Sequence, residues 1–68
     1  MTEQFLRLPD VLAATGLSRS MIYLLIERKQ FPAPLKILGA RSSAWLASEV
    51  SAWQQQRIAA RDASNVEA

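Results

Sequence analysis

The chain has 68 residues, half of them apolar, a formal net charge of +2, and neither cysteine nor histidine. That length makes one small domain with a thin core, burying roughly 60% of its unfolded surface, and the missing residue types exclude disulfides, thiolate chemistry, the usual zinc sites and histidine acid–base catalysis. No apolar run approaches a membrane span and the N-terminus lacks the charged start and apolar middle of a signal peptide, so the expectation is a cytoplasmic protein that is not an enzyme and needs no cofactor or metal.

Met1 to Gln4 is polar and expected to be a flexible lead outside a domain of residues 5–61. Phe5-Leu6-Arg7 reads as a short extended approach. Pro9 suits the first turn of a helix, where its missing amide is no loss, and Asp10 favours the positive end of the helix dipole. A first helix is therefore expected from Pro9 to Ala14, with Val11 and Leu12 inward and Thr15-Gly16 ending it.

Gly16-Leu17-Ser18 then reads as a turn into a second helix. Gly16 supplies the permissive backbone, Leu17 plugs the corner, and Ser18 is a good N-cap. Helix, glycine turn and capped helix together are the helix-turn-helix pattern. With Ile22, Leu25 and Ile26 inward at i, i+3 and i+4, the wheel turns Ser20, Tyr23, Leu24 and Glu27 outward and leaves Arg19 at the helix start. This helix is expected to run to Arg28 or Lys29, before Phe31 folds back onto the core.

Pro32 and Pro34 rule out further helix and make a stiff connector. Leu35-Lys36-Ile37-Leu38 and Ser43-Ala44-Trp45 are two extended runs joined by Gly39-Ala40-Arg41-Ser42, a hairpin signal with an arginine at its apex. Such a tip presents charge to a minor groove or a phosphate, or is simply a solvated loop. A third helix is expected near Ser48, taken as its N-cap, with Val50, Trp53, Ile58 and the stem of Arg57 as its stripe. Trp45 and Trp53 are read as core rather than as platforms for bases. Gln54, Gln55 and Gln56 form a polar face, and Asp62 to Ala68 has too little apolar content to fold. The fold class is mainly α with a small β-hairpin: three helices plus a wing.

Charge is unevenly placed. From Arg7 to Arg41 there are six cations against two anions; from Ser42 to Ala68 there are two against three. A polyanionic partner for the first part explains this, as does an ordinary solvated surface.

Arg7-Leu8-Pro9-Asp10-Val11, Gly16-Leu17-Ser18-Arg19-Ser20-Met21-Ile22-Tyr23, Phe31-Pro32, Gly39-Ala40-Arg41-Ser42, Ala44-Trp45 and Ser48-Glu49-Val50-Ser51-Ala52-Trp53, in that order, resemble the AlpA family of short prophage-encoded transcriptional regulators. The likeness covers roughly residues 5 to 60. It implies a winged helix-turn-helix of the MerR and excisionase type, binding to double-stranded DNA, and control of phage or integrated-element genes. By that likeness Ser18, Arg19, Ser20 and Tyr23 fall on the recognition helix and Arg41 on the wing. Arg28, Lys29 and Lys36 of the basic region complete the candidate DNA-binding set. Arg19 is expected to reach a guanine edge, and Arg41 a phosphate.

Position 24 departs from the family, which often has arginine or another polar residue there. Leu24 either meets a thymine methyl or sugar, or contacts another protein chain. An excisionase-like factor that bends attachment-site DNA shares every binding residue with a transcription regulator. A protein-interaction module using Leu24 and the glutamine face is the reading from another class. The free protein is expected to be monomeric, with several copies gathering on DNA.

Overall fold

Gly16 does in the structure what a turn glycine is needed for. The fold, that of a computed structural model, is described for residues 2–39 and 42–65. Strand β1 is Phe5–Leu6, helix α1 Leu8–Thr15 and helix α2 Arg19–Glu27. Gly16 ends α1 at φ 73°, the left-handed region that glycine enters without a Cβ penalty, and its N–H donates to the Leu12 carbonyl at 2.8 Å. Thr15 ties the corner further: its Oγ1 donates to the Val11 carbonyl at 2.8 Å and accepts from the Leu17 amide at 3.2 Å. Ser18 caps α2, its Oγ accepting from the Met21 amide at 3.2 Å. Both helices thus begin and end within a residue or two of where the sequence places them.

The end of α2 uses a residue that sequence reading passed over. The Gln30 amide donates to the Leu25 carbonyl at 2.8 Å and the Lys29 amide to the Ile26 carbonyl at 3.0 Å. These two bonds make a Schellman motif, with Lys29 at φ 60° in the left-handed position where glycine is the usual occupant.

Strands β2 (Leu35–Lys36) and β3 (Ser43–Leu46) form the expected antiparallel hairpin, with Leu35 opposite Ala44 and Lys36 opposite Ser43. The β2 strand is shorter than expected. Ile37 and Leu38 lie outside it, although the Ile37 amide still donates to the Ser42 carbonyl at 2.9 Å, and Leu38 is 80% exposed. Phe5–Leu6 is more than an approach to the first helix: it pairs antiparallel with β3, Phe5 opposite Leu46 and Leu6 opposite Trp45. The sheet order is therefore β1-β3-β2, with β3 central. Successive β3 side chains point to opposite faces, and Ala44 and Trp45 are both fully buried, so the strand is covered on both sides.

Helix α3 (Ala47–Asn65) follows β3 without a break and corrects several expectations. Ser48 is not its N-cap: it lies inside the first turn, and its amide and hydroxyl both donate to the Glu3 carboxylate, at 3.1 and 2.7 Å. The capping acceptor thus comes from 45 residues away. These bonds hold the Glu3 carboxyl below its usual range. The Ala47 amide likewise donates to the Gln4 carbonyl at 2.9 Å, so Glu3 and Gln4, expected in a loose lead, bond to the start of α3. Its apolar stripe also ends earlier than expected: Val50 is buried and Trp53 packs against the core, but Arg57 is exposed and Ile58 is 43% exposed. Past that point the helix continues to Asn65, through four residues expected not to fold. Residues 59–64 are exposed, so the extension rests on good helix formers, Ala59, Ala60, Arg61 and Ala63, and on the low cost of adding residues to a helix already begun.

Val11, Ile22, Phe31, Trp45 and Val50 form the core, with Leu6, Leu12, Leu17, Leu25, Ile26 and Trp53 packed around it. Both tryptophans satisfy their indole N–H within the fold: Trp45 Nε1 donates to the Pro32 carbonyl at 3.0 Å and Trp53 Nε1 to the Gln30 carbonyl at 2.9 Å. Phe31 meets Trp53 edge-on at 5.0 Å. Both rings are thus structural, and the proline connector is held by the two aromatic residues it runs between.

Candidate nucleic-acid interface

Packing Ile22 inward determines what α2 can offer outward. Arg19, Ser20, Tyr23, Leu24, Arg28 and Lys29 are all exposed. Tyr23 keeps one edge of its ring on Trp45, centroids 6.5 Å apart at 63°, and 40% of its surface free, so the ring is held in place while still reachable. Ser18 is exposed as well, but its hydroxyl is engaged with the Met21 amide, which makes it first a cap.

An open cleft of about 410 Å³ forms where α2, β3 and the start of α1 meet. It is lined by Arg19 and Tyr23 of α2, Ser43 and Trp45 of β3, and Arg7, which precedes α1. Lys36 joins this group from β2, because its Nζ donates to Ser43 Oγ at 2.6 Å. Three cations from three segments thus gather at the N-terminal end of α2. Arg28 and Lys29 lie apart from them: nine positions along a helix carry Arg28 about 13 Å beyond Arg19. Lys29 lines a different groove, with Phe31, Glu49 and Trp53. Arg41 lies outside the described residues.

Arg7 is the residue that sequence reading missed. It stands in the basic region and in the family-like motif, but no local periodicity links position 7 to position 19. The link is the β1–β3 pairing, which sets Leu6 opposite Trp45 and so brings the next residue to the rim of the cleft.

Among the described residues no carboxylate forms an ion pair with the cations of this edge. Among the described residues the ion pair is Arg61–Asp62, at 2.8 Å on the exposed part of α3. Asp10, the acid nearest Arg7 in sequence, accepts from the Arg7 backbone amide at 3.2 Å, supporting the start of α1. Among the described residues no group of three metal-ligating side chains occurs, and no helix is long and apolar enough to cross a membrane.

Two helices across a glycine turn, a third helix, and a small antiparallel sheet with a wing-like hairpin are the parts of a winged helix-turn-helix, and the arrangement fits that class. The chain belongs to the family of the prophage CP4-57 regulatory protein (AlpA), whose sequence model matches residues 4–58. It is also 54% identical over 59 residues to a protein described as uncharacterized protein ORF88 of Enterobacteria phage P4. That match takes in 87% of this chain and 66% of the relative, so the chain spans just under two thirds of that protein's length. No solved structure matches it. The likeness read from the motifs is thereby confirmed, and the family is a regulatory one.

Proposed function

We propose that this phage-type regulatory protein binds double-stranded DNA sequence-specifically and controls transcription of phage or integrated-element genes, with α2 entering the major groove. The observation that carries the reading is the gathering of Arg19, Lys36 and Arg7 beside the free face of α2, three cations that none of the acids among the described residues pairs with in an ion bridge. A helix end rich in cations suits a surface carrying one phosphate charge about every 1.7 Å of duplex axis. Ser20, Tyr23 and Leu24, outward on the same helix, are of the kinds that meet base edges and thymine methyls. In this reading the free protein is a cytoplasmic monomer. One recognition helix and a wing cover little DNA, so several copies occupy repeated sites.

Binding to duplex DNA measured across a salt series tests the proposal. Displaced counterions make log K fall linearly with log salt, by about 0.9 for each phosphate neutralised. A flat response, or no binding at low salt, refutes it in favour of a protein-interaction module. Where binding occurs, a footprint on the DNA flanking the protein's own gene separates promoter control from attachment-site bending.

A further inference from the structure

We infer that Arg7, outside the helix-turn-helix, is a phosphate-binding residue that holds one backbone phosphate of the duplex in the cleft it shares with Arg19 and Ser43. This rests on the DNA-binding reading and adds to it a contact from a segment ahead of the first helix. Two arginines, 12 positions apart in sequence, line one cleft, and among the described residues no acidic residue lines it. Lys36 brings a third cation to the rim through its bond to Ser43. Like charges on one rim repel, and an anion seated among them removes that repulsion. Asp10, whose carboxylate accepts from the Arg7 amide, is in no ion pair with either arginine. A phosphate diester suits the site because guanidinium offers paired donors that match two phosphate oxygens.

The cleft is also stiff. Its floor is the fully buried Trp45, with the Tyr23 ring edge-on to it. The Arg7 backbone is held at both ends of its peptide, by its amide on Asp10 and its carbonyl accepting from the Val11 amide at 3.1 Å. The fold therefore uses the main chain of Arg7 and leaves its exposed side chain to a partner. A phosphate held there fixes the register of α2 on the duplex without reading sequence.

The test compares the wild-type chain with Arg7→Ala, Arg7→Lys, Arg19→Ala and the Arg7/Arg19 double variant, each checked by thermal melting, with Arg61→Ala as a distant control. Arg7→Ala is expected to weaken binding about tenfold or more at low salt, equally for specific and nonspecific duplexes, and to reduce the salt slope by about one. Arg7→Lys keeps the charge and the slope but not all of the affinity. Because the two arginines share one phosphate, the double variant loses less than the two single losses combined. If the wild type binds with a steep slope and Arg7→Ala leaves affinity and slope unchanged, the inference is wrong while the DNA-binding reading stands. A loss confined to the specific duplex overturns it too, since that marks base reading. If inorganic phosphate alone raises the melting temperature of the wild type but not of Arg7→Ala, and DNA binding is equal in both, the cleft is a small-anion site and the assignment to DNA fails. No salt-dependent binding by the wild type removes both readings together.

Discussion

Replacing Gly16 by alanine isolates one backbone angle on which the relation of α1 to α2 depends. An added Cβ at Gly16 meets no atom within 4 Å, so the substitution creates no clash and its effect is conformational. A residue with a Cβ is disfavoured in the left-handed region by about 1 to 2 kcal/mol. Alanine also narrows the unfolded ensemble, which offsets about 0.4 to 1 kcal/mol. The net expectation is a loss of about 1 kcal/mol. For a domain of this size that lowers the melting temperature by about 4 to 8 °C. Chemical denaturation is expected to show a lower midpoint with an unchanged slope, because the surface exposed on unfolding is the same. Gly16→Asn is expected to recover part of the loss, since asparagine tolerates the left-handed region better than alanine. No loss in Gly16→Ala, a loss above about 3 kcal/mol, or equal losses for alanine and asparagine would each contradict a turn set by φ alone.

Substitutions at two further positions follow the same logic at other helix ends. Lys29 occupies the left-handed position of the α2 Schellman motif, so Lys29→Gly is expected to raise stability by up to about 1 kcal/mol, whereas Lys29→Ala brings no gain; melting curves of the two variants check this. The Glu3 carboxyl is held low by the Ser48 hydroxyl and then by the Ser48 amide, so the ionised form is favoured in the folded state. Its contribution is complete above the unfolded carboxylate range and is lost as pH falls through the lower folded value. Glu3→Gln should therefore flatten the fall in melting temperature through the acid range, and an unchanged profile would show that the bonds from Ser48 do not stabilise the fold.

What could be read from sequence was governed by the distance over which each signal acts. Gly16, Ser18 and the Ile22, Leu25, Ile26 spacing are signals within one or two turns, and the turn, cap and buried face of α2 agree with them. The two tryptophans, too large to leave exposed in a thin core, were legible as packing residues, with their N–H groups on the backbone of the connector. The cap of α3 was not legible, because Ser48 followed by Glu49 has the local look of an N-cap while the actual acceptor is a carboxylate 45 residues earlier. A two-residue strand has no period to detect, so β1 showed itself only through its pairing with β3. The end of α3 is hidden for the opposite reason: it has no apolar stripe, the signal by which a helix is recognised in sequence. A helix already begun adds residues cheaply, and Ala59, Ala60, Arg61 and Ala63 are good helix formers on which to extend it.

Trp45 shows why the scaffold and the candidate interface cannot be altered with equal freedom. It is fully buried, sits on the central strand, anchors the proline connector through its indole N–H, and also forms the floor beneath Arg7, Arg19 and Tyr23. Truncating it would remove core volume and leave the Pro32 carbonyl without its donor, losses that a domain of 68 residues withstands poorly. Any effect on binding would then be mixed with unfolding. The cations above it are in the reverse position: Arg7, Arg19 and Lys36 are exposed and contribute no side chain to the core. Their charges can change while the floor that positions them does not. Within such a fold, partner choice can therefore diverge at the rim residues, while the ring beneath them is held constant by the demands of a thin core.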